Sequence, residues 1–151
     1  MPYSITPLQP HEPLPMDLLL LADENPQLIR EYLPLSQVYL LKLEGQTQGV
    51  GLLQVQEQEA EIINLAIAPS YQGQGWGKTL LLHLIEVARQ QGSPRVLIKT
   101  GNSSINQFAL YQRVGFDLVD VRYNYFLEAY PQPIWENQIR CKHQLILELR
   151  F

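Results

Sequence analysis

Residues 62–84 read IINLAIAPSYQGQGWGKTLLLHL, and the order of residue types in them decides the fold. Ile62, Ile63, Leu65 and Ile67 make a short β-favouring run. Pro69 ends it, because proline has no amide hydrogen to give to a ladder. The loop Gln72-Gly73-Gln74-Gly75-Trp76-Gly77-Lys78 follows, its alternate glycines letting the backbone turn tightly and come close to a ligand. An apolar helix is predicted from about Gly75 to Gln91, with Leu80, Leu81, Leu84, Ile85 and Ala88 at helical spacing and Gly92 as its stop. The amides of its first turn have no partner inside the helix and point back at the loop. That arrangement binds anions, phosphates above all, and Lys78 adds a cation.

Working outward, the pattern predicts a three-stranded antiparallel meander leading into the loop. Its strands are Val38–Leu43, Gln48–Gln56 and Ala60–Ile67, joined by polar turns at Glu44–Thr47 and Gln56–Glu59. Before it lie a short edge strand at Tyr3–Pro7 and two helices, Met16–Ala22 and Pro26 to about Tyr32, as a wall over one side of the sheet. Beyond the loop helix, Arg95–Thr100 reads as a fifth strand, parallel to Ala60–Ile67 because a helix crosses between them. A helix carrying Ile105, Phe108, Ala109 and Leu110 follows, with Tyr111 near its end and Gly115 stopping it. Phe116–Val121 and Tyr123–Leu127 then read as one long strand bent near Arg122, and Leu145–Leu149 as an edge or near-edge strand that closes the sheet. His83 and Glu86 fall on the wetter side of the loop helix, and His83 reads as a surface residue.

At 151 residues, 46% hydrophobic and 17% charged, the chain suits one domain, 1–151, of an ordinary globular protein. Apolar clusters such as Leu18–Ala22 are too short to span a bilayer, and MPYSITPLQP has no signal-peptide character, so a cytoplasmic location is expected. The single cysteine, Cys141, excludes an internal disulfide and a cysteine metal cluster, and reads as a small core residue. His11, His83 and His143 lack metal-ligand spacing, so no metal is expected. A net charge of −4 argues against nucleic acid as main partner.

Three phosphate-loop patterns compete for Gln72–Lys78. Gly73 with Gly77-Lys78-Thr79 fits the Walker A pattern loosely, although no downstream aspartate strand for magnesium is evident; a P-loop nucleotide hydrolase is therefore one alternative. The Rossmann pattern G-x-G-x-x-G fails at its third glycine. The third pattern, [Gln/Arg]-x-x-Gly-x-[Gly/Ala], is met by Gln72, Gly75 and Gly77. In this the stretch resembles the pyrophosphate loop of the GNAT (GCN5-related) acyl-coenzyme A N-acyltransferases. Tyr111-Gln112-Arg113-Val114-Gly115-Phe116 resembles a second signature late in that family, one strand and one helix after the loop, as here. TGNSSINQFALYQRVGF and the tail YPQPIWENQIRCKHQLIL resemble a YvbK-like branch of small bacterial acetyltransferases.

The resemblance implies an α/β (α+β) GNAT domain, a mixed and mostly antiparallel sheet flanked by helices. It implies acetyl-coenzyme A as cosubstrate, without a metal, and direct transfer of the acetyl group, in a ternary complex, to a primary amine of a small molecule, a peptide or a protein. Gln72, Gly73, Gln74, Gly75, Trp76, Gly77 and Lys78 would hold the pyrophosphate, and Leu65, Ala66 and Ile67 would pair with the pantetheine arm like an added strand. Tyr111 would protonate the leaving thiolate, although a core aromatic at a helix end is the plain alternative. Glu61 would be the general base, if burial or a water relay lifts it from a free pKa of about 4.3; a solvent-facing strand charge is the alternative. In a regular strand Asn64 shares a face with Ile62 and Glu61 faces away; a β-bulge would change that. Where many members of the family carry an asparagine, seven residues before the tyrosine, this chain has Ser104, and Asn106 is the candidate to reach the cofactor instead. Trp135, Glu136 and Asn137 either choose the acceptor or pack their loop against a dimer partner. An acyl-coenzyme A sensor without turnover is a further alternative, and the resemblance admits a homodimer through the final strand.

Overall fold

A computed structural model describes all residues, Met1–Phe151. Seven strands form one sheet in the order β1-β2-β3-β4-β5-β9-β6. The first five are β1 (Tyr3–Pro7), β2 (Gln37–Leu43), β3 (Gln46–Val55), β4 (Ala60–Ile67) and β5 (Arg95–Gly101), followed by β6 (Asp117–Arg122). A small separate hairpin, β7 (Trp135–Glu136) and β8 (Ile139–Arg140), precedes β9 (Gln144–Arg150). Every pairing in the sheet is antiparallel except β4 with β5. The helices are α1 (Met16–Ala22), α2 (Pro26–Tyr32), α3 (Trp76–Gln90), α4 (Ile105–Val114) and the short α5 (Tyr125–Ala129).

Apolar side chains alternate along the strands and divide the core between the two sheet faces. Leu80, Leu81, Leu84 and Ala88 of α3 are fully buried on one face against Leu41, Leu53, Ile62, Val96 and Ile98. Each fully buried leucine contributes about 1.5–3 kcal/mol of transfer free energy. Gly51 lets α3 settle on the backbone of β3, since a Cβ there would stand 2.6 Å from Leu84 Cδ1. On the opposite face Leu18, Leu19 and Ile29 of α1 and α2 cover Leu40, Val50, Leu52 and Ala66. His83 is half-buried, its ring 5.7 Å from that of Tyr39, so it packs on the sheet where a surface position was expected.

The C-terminal third departs most from the pattern. Tyr123–Leu127 is not a continuation of β6. Asn124 takes a left-handed conformation (φ 62°), its amide donates to His143 Nδ1 at 3.0 Å, and α5 begins at the next residue. The alternating aromatics that suggested a strand instead pack among themselves, Phe126 between Tyr125 and Tyr130. Strand β9 inserts between β5 and β6, antiparallel to both. It is therefore next to the edge, and with both sides paired it cannot add a partner's strand. Asn102 holds the returning tail: its Oδ1 accepts from Lys142 N (2.7 Å) and His143 N (2.8 Å), and its Nδ2 donates to Arg140 O.

Candidate active site

The site is built where two parallel strands part. Strands β4 and β5 pair only at Ala60↔Val96, Glu61↔Leu97 and Ile62↔Ile98. Beyond Ile62, β4 runs on for five residues and β5 runs on to Gly101 without pairing, which opens a cleft between them. Ala68 N donates to Gln48 O at 2.8 Å, which fixes the alternation of the β3–β4 ladder. The backbone groups of Ala66 then face β3, and those of Leu65 and Ile67 face the cleft. Of the three residues expected to form this edge, Leu65 offers both main-chain groups and Ile67 its amide, the Ile67 carbonyl being taken by Gln72, and Ala66 offers neither.

The glycine loop stands at the end of that edge. Gln72 Nε2 donates to Ile67 O at 2.9 Å and clips the loop to the end of β4. Gly73 (φ 74°) and Gly75 (φ 91°) take left-handed conformations, and Gly75 caps α3. The amides of Gly73, Gln74, Gly75, Trp76, Gly77 and Lys78 donate to no protein acceptor. Six consecutive orphan donors at a helix N-terminus, with the exposed and unpaired Lys78 ammonium beside them, fit a pyrophosphate. The hydroxyl of Thr79, which a Walker A loop gives to magnesium, donates instead to Gly75 O at 3.1 Å.

A register shift in β4 decides which side chains meet at the cleft. Leu52 stands opposite Asn64 and Leu53 opposite Ile62, so Ile63 is an extra, bulged residue. Ala60 and Ile62 before the bulge, and Leu65 and Ile67 after it, face α3. Glu61 before it and Asn64 and Ala66 after it share the opposite face, where α1 and α2 cover Asn64 and Ala66. Without the bulge, Glu61 and Asn64 would lie on opposite faces.

Glu61 is mostly buried, and Lys99 of β5 lies 3.3 Å from its Oε1. Burial raises its carboxyl above the ordinary value, and the Lys99 ammonium pulls it partly back down. Tyr111, 6% exposed, packs against Phe116 at the end of α4, and burial raises its phenol well above the ordinary value. Its hydroxyl has no hydrogen-bond partner, yet it is not among the fully occluded orphan atoms, so it opens onto accessible space.

The remaining candidates are placed less centrally. Asn106 lies exposed on the first turn of α4 without a side-chain hydrogen bond. Ser104 Oγ donates to Glu136 Oε1 at 2.8 Å, and Asn137 Nδ2 to Ser103 O at 2.8 Å, so both hairpin residues pin the tail to the turn between β5 and α4. Trp135 is 63% exposed. Cys141 is buried against Gly101. Sequence patterns did not single out Lys99, Asp23, Tyr32, Tyr125 or Tyr130, which gather on the Glu61 face; no motif marks them, because they come together only through packing.

The profile of the acetyltransferase (GNAT) family matches residues 5–116. The uncharacterized N-acetyltransferase YvbK of Bacillus subtilis is 40% identical over 134 residues, 88% of this chain and 86% of that one. The [ribosomal protein bS18]-alanine N-acetyltransferase of Haemophilus influenzae is 39% identical over 89 residues, 59% of this chain and 58% of that one. Among solved structures, a GNAT family acetyltransferase from Elizabethkingia anophelis with acetyl-CoA bound superposes with a TM-score of 0.96 at 39% identity, covering 99% of this chain and 98% of that one. The split sheet, the amide-lined loop and these relatives converge: the chain belongs to the GNAT family of acetyltransferases.

Proposed function

We propose that the chain moves an acetyl group from acetyl-coenzyme A directly to a primary amine, with Glu61 as general base and Tyr111 as general acid. The observation that carries the reading is the run of unpartnered amides from Gly73 to Lys78 at the mouth of the β4–β5 cleft. Acetyl-coenzyme A supplies the activated thioester carbonyl. The residues of this chain do the rest. The loop amides and Lys78 hold the pyrophosphate, and Leu65 and Ile67 pair with the amide-bearing arm along the free edge of β4.

Glu61 takes a proton from the acceptor ammonium, leaving the neutral amine to attack. The new C–N bond forms as the C–S bond breaks, and the thiolate takes its proton from Tyr111. A phenol with its pKa raised by burial keeps its proton at neutral pH. Its delivery to a thiolate, whose thiol has a free pKa of about 8.5, is uphill and so has to be coupled to C–S cleavage. The acylated nitrogen releases its surplus proton to solvent, Glu61 gives up the first, and the phenolate recovers one through the opening at its hydroxyl. Overall, ammonium and thioester give amide, thiol and one proton. Asn106, on the exposed side of α4, is assigned at most to the outer part of the cofactor.

An acetyl-coenzyme A donor and a net charge of −4 support a cytoplasmic enzyme whose partners are amines rather than nucleic acid. No helix is long and apolar enough to cross a membrane. Calorimetric titration with acetyl-coenzyme A, with magnesium-ATP alongside, tests the reading. Micromolar binding of the first alone, followed by thiol release with primary amines, is expected. Binding of ATP instead would overturn it.

A further inference from the structure

Residues of four separate segments meet on the Glu61 face of the sheet. Asp23, in the loop between α1 and α2, accepts from Tyr130 Oη at 2.6 Å and from Asn25 N at 3.1 Å on Oδ1. Its Oδ2 accepts from Tyr32 Oη at 3.1 Å. Tyr32 Oη in turn accepts from Asn64 Nδ2 at 3.0 Å, whose other proton goes to Leu19 O. Asn25 Nδ2 donates to Ala129 O and draws the end of α5 onto the same loop. Burial raises the Tyr125 phenol, the Asp23 and Glu61 carboxylates add to the rise, and its ring carries the Arg122 guanidinium at 4.8 Å.

Around the Asp23 carboxylate the hydrogen-bond inventory leans to acceptors. The phenol protons of Tyr32 and Tyr130 and both Asn64 amide protons are engaged. Left over are lone pairs on Asp23 Oδ2 and Tyr130 Oη, and Asn64 Oδ1, which is buried in a residue 3% exposed and has no partner; the Tyr125 hydroxyl and the second proton of Asn25 Nδ2 are the unengaged donors nearby. No lysine, arginine or histidine forms an ion pair with Asp23. A half-buried carboxylate with acceptors around it and phenol rings beside it is complementary to a cation bearing N–H groups. The cluster is displaced from the proposed base: Asn64 follows Glu61 by three residues on β4, up to about 10 Å along the strand, and Asp23 is tied to Asn64 through Tyr32.

Resting on the acetyltransferase reading above, we infer that the acceptor carries a second cationic nitrogen, and that Asp23, held by Tyr32 and Tyr130, binds it while the reacting amine lies at Glu61. Asp23 is then a specificity-determining residue. The substrate class is diamines and other amines with a distant ammonium or guanidinium, rather than simple monoamines.

The test compares putrescine with n-butylamine, which differ only in the second nitrogen. Thiol release from acetyl-coenzyme A gives kcat/KM for each with the intact enzyme. The diamine should be preferred about tenfold or more, the worth of one charge-assisted hydrogen bond. Asp23→Asn should bring the ratio of the two toward one, chiefly through KM for the diamine. Tyr130→Phe keeps the carboxylate and most of the packing, and should lower the same ratio severalfold even if Asp23→Asn does not fold. Equal kcat/KM for the two amines in the parent enzyme, with acetyl-coenzyme A turned over, would overturn this inference and leave the acetyltransferase reading standing. So would variants that slow both amines with an unchanged ratio. Absence of acetyl-coenzyme A binding would overturn both.

Discussion

Lys99 Nζ lies 3.3 Å from Glu61 Oε1, one residue past the last pairing between β4 and β5. The ion pair spans the point where the strands separate, so the charge on the proposed base is set by the same geometry that opens the cleft. Burial raises the Glu61 carboxyl and Lys99 opposes the rise.

A Lys99→Met change should therefore leave Glu61 buried without its counter-charge and raise its pKa further. A general base works when ionised, so the rising limb of the kcat/KM–pH profile should move to higher pH, while Lys99→Arg should hold it near its original place. Glu61→Gln should flatten that limb. The sign for stability runs the other way. With its folded pKa above the unfolded value of about 4.3, Glu61 favours the folded state below that pH, and the contribution is lost as pH rises through the folded pKa. Denaturant unfolding across that range should show a shallower decline in Glu61→Gln.

Tyr111→Phe removes a hydroxyl that no protein group binds. Its melting temperature should hardly change, because the ring still packs on Phe116. If Tyr111 is the acid, kcat should fall about a hundredfold or more while acetyl-coenzyme A affinity stays within a few fold. Equal loss of affinity and turnover would mean a structural tyrosine.

Gly77 and Gly75 separate folding from ligand binding. Gly77 has no left-handed φ, and a Cβ there would meet nothing closer than Ile67 Cγ1 at 3.8 Å. Gly77→Ala should fold as well as the parent, or better by up to about 1 kcal/mol, since alanine favours the helix. Its methyl would stand among the orphan amides, and acetyl-coenzyme A affinity by calorimetry should drop at least about tenfold. Gly75→Ala puts a side chain at φ 91° and should cost about 1–2 kcal/mol of stability as well.

Gly101 packs against the tail so closely that a Cβ would stand 2.3 Å from Cys141 Sγ. Gly101→Ala should destabilise by about 1–3 kcal/mol in urea unfolding. Cys141→Ala removes the obstructing sulfur, so the double change should be more stable than the sum of the two single losses. Strict additivity would show that the tail moves aside freely.

The glycine loop and its helix were legible because both follow from local chemistry. Gln72–Lys78 specifies left-handed turns and an open helix start, and the leucine spacing after it specifies which face is buried. The meander was legible for the same reason, since alternation and turn residues fix each strand within a few positions. Tyr123–Leu127 misled because alternating aromatics read equally as a strand and as a packed aromatic turn; the His143 contact that selects the turn comes from 19 residues away.

What the sequence by itself determined was thus the set of backbone elements and the anion-binding loop, because propensity, periodicity and glycine conformation act over a few residues. Only the tertiary structure decided that Ile63 bulges and turns Glu61 and Asn64 to one face, that β9 threads between β5 and β6, and that Asp23 meets Tyr130 across 107 positions. Those outcomes depend on which ladders and packed faces form between distant segments, and no window of local sequence carries that free energy.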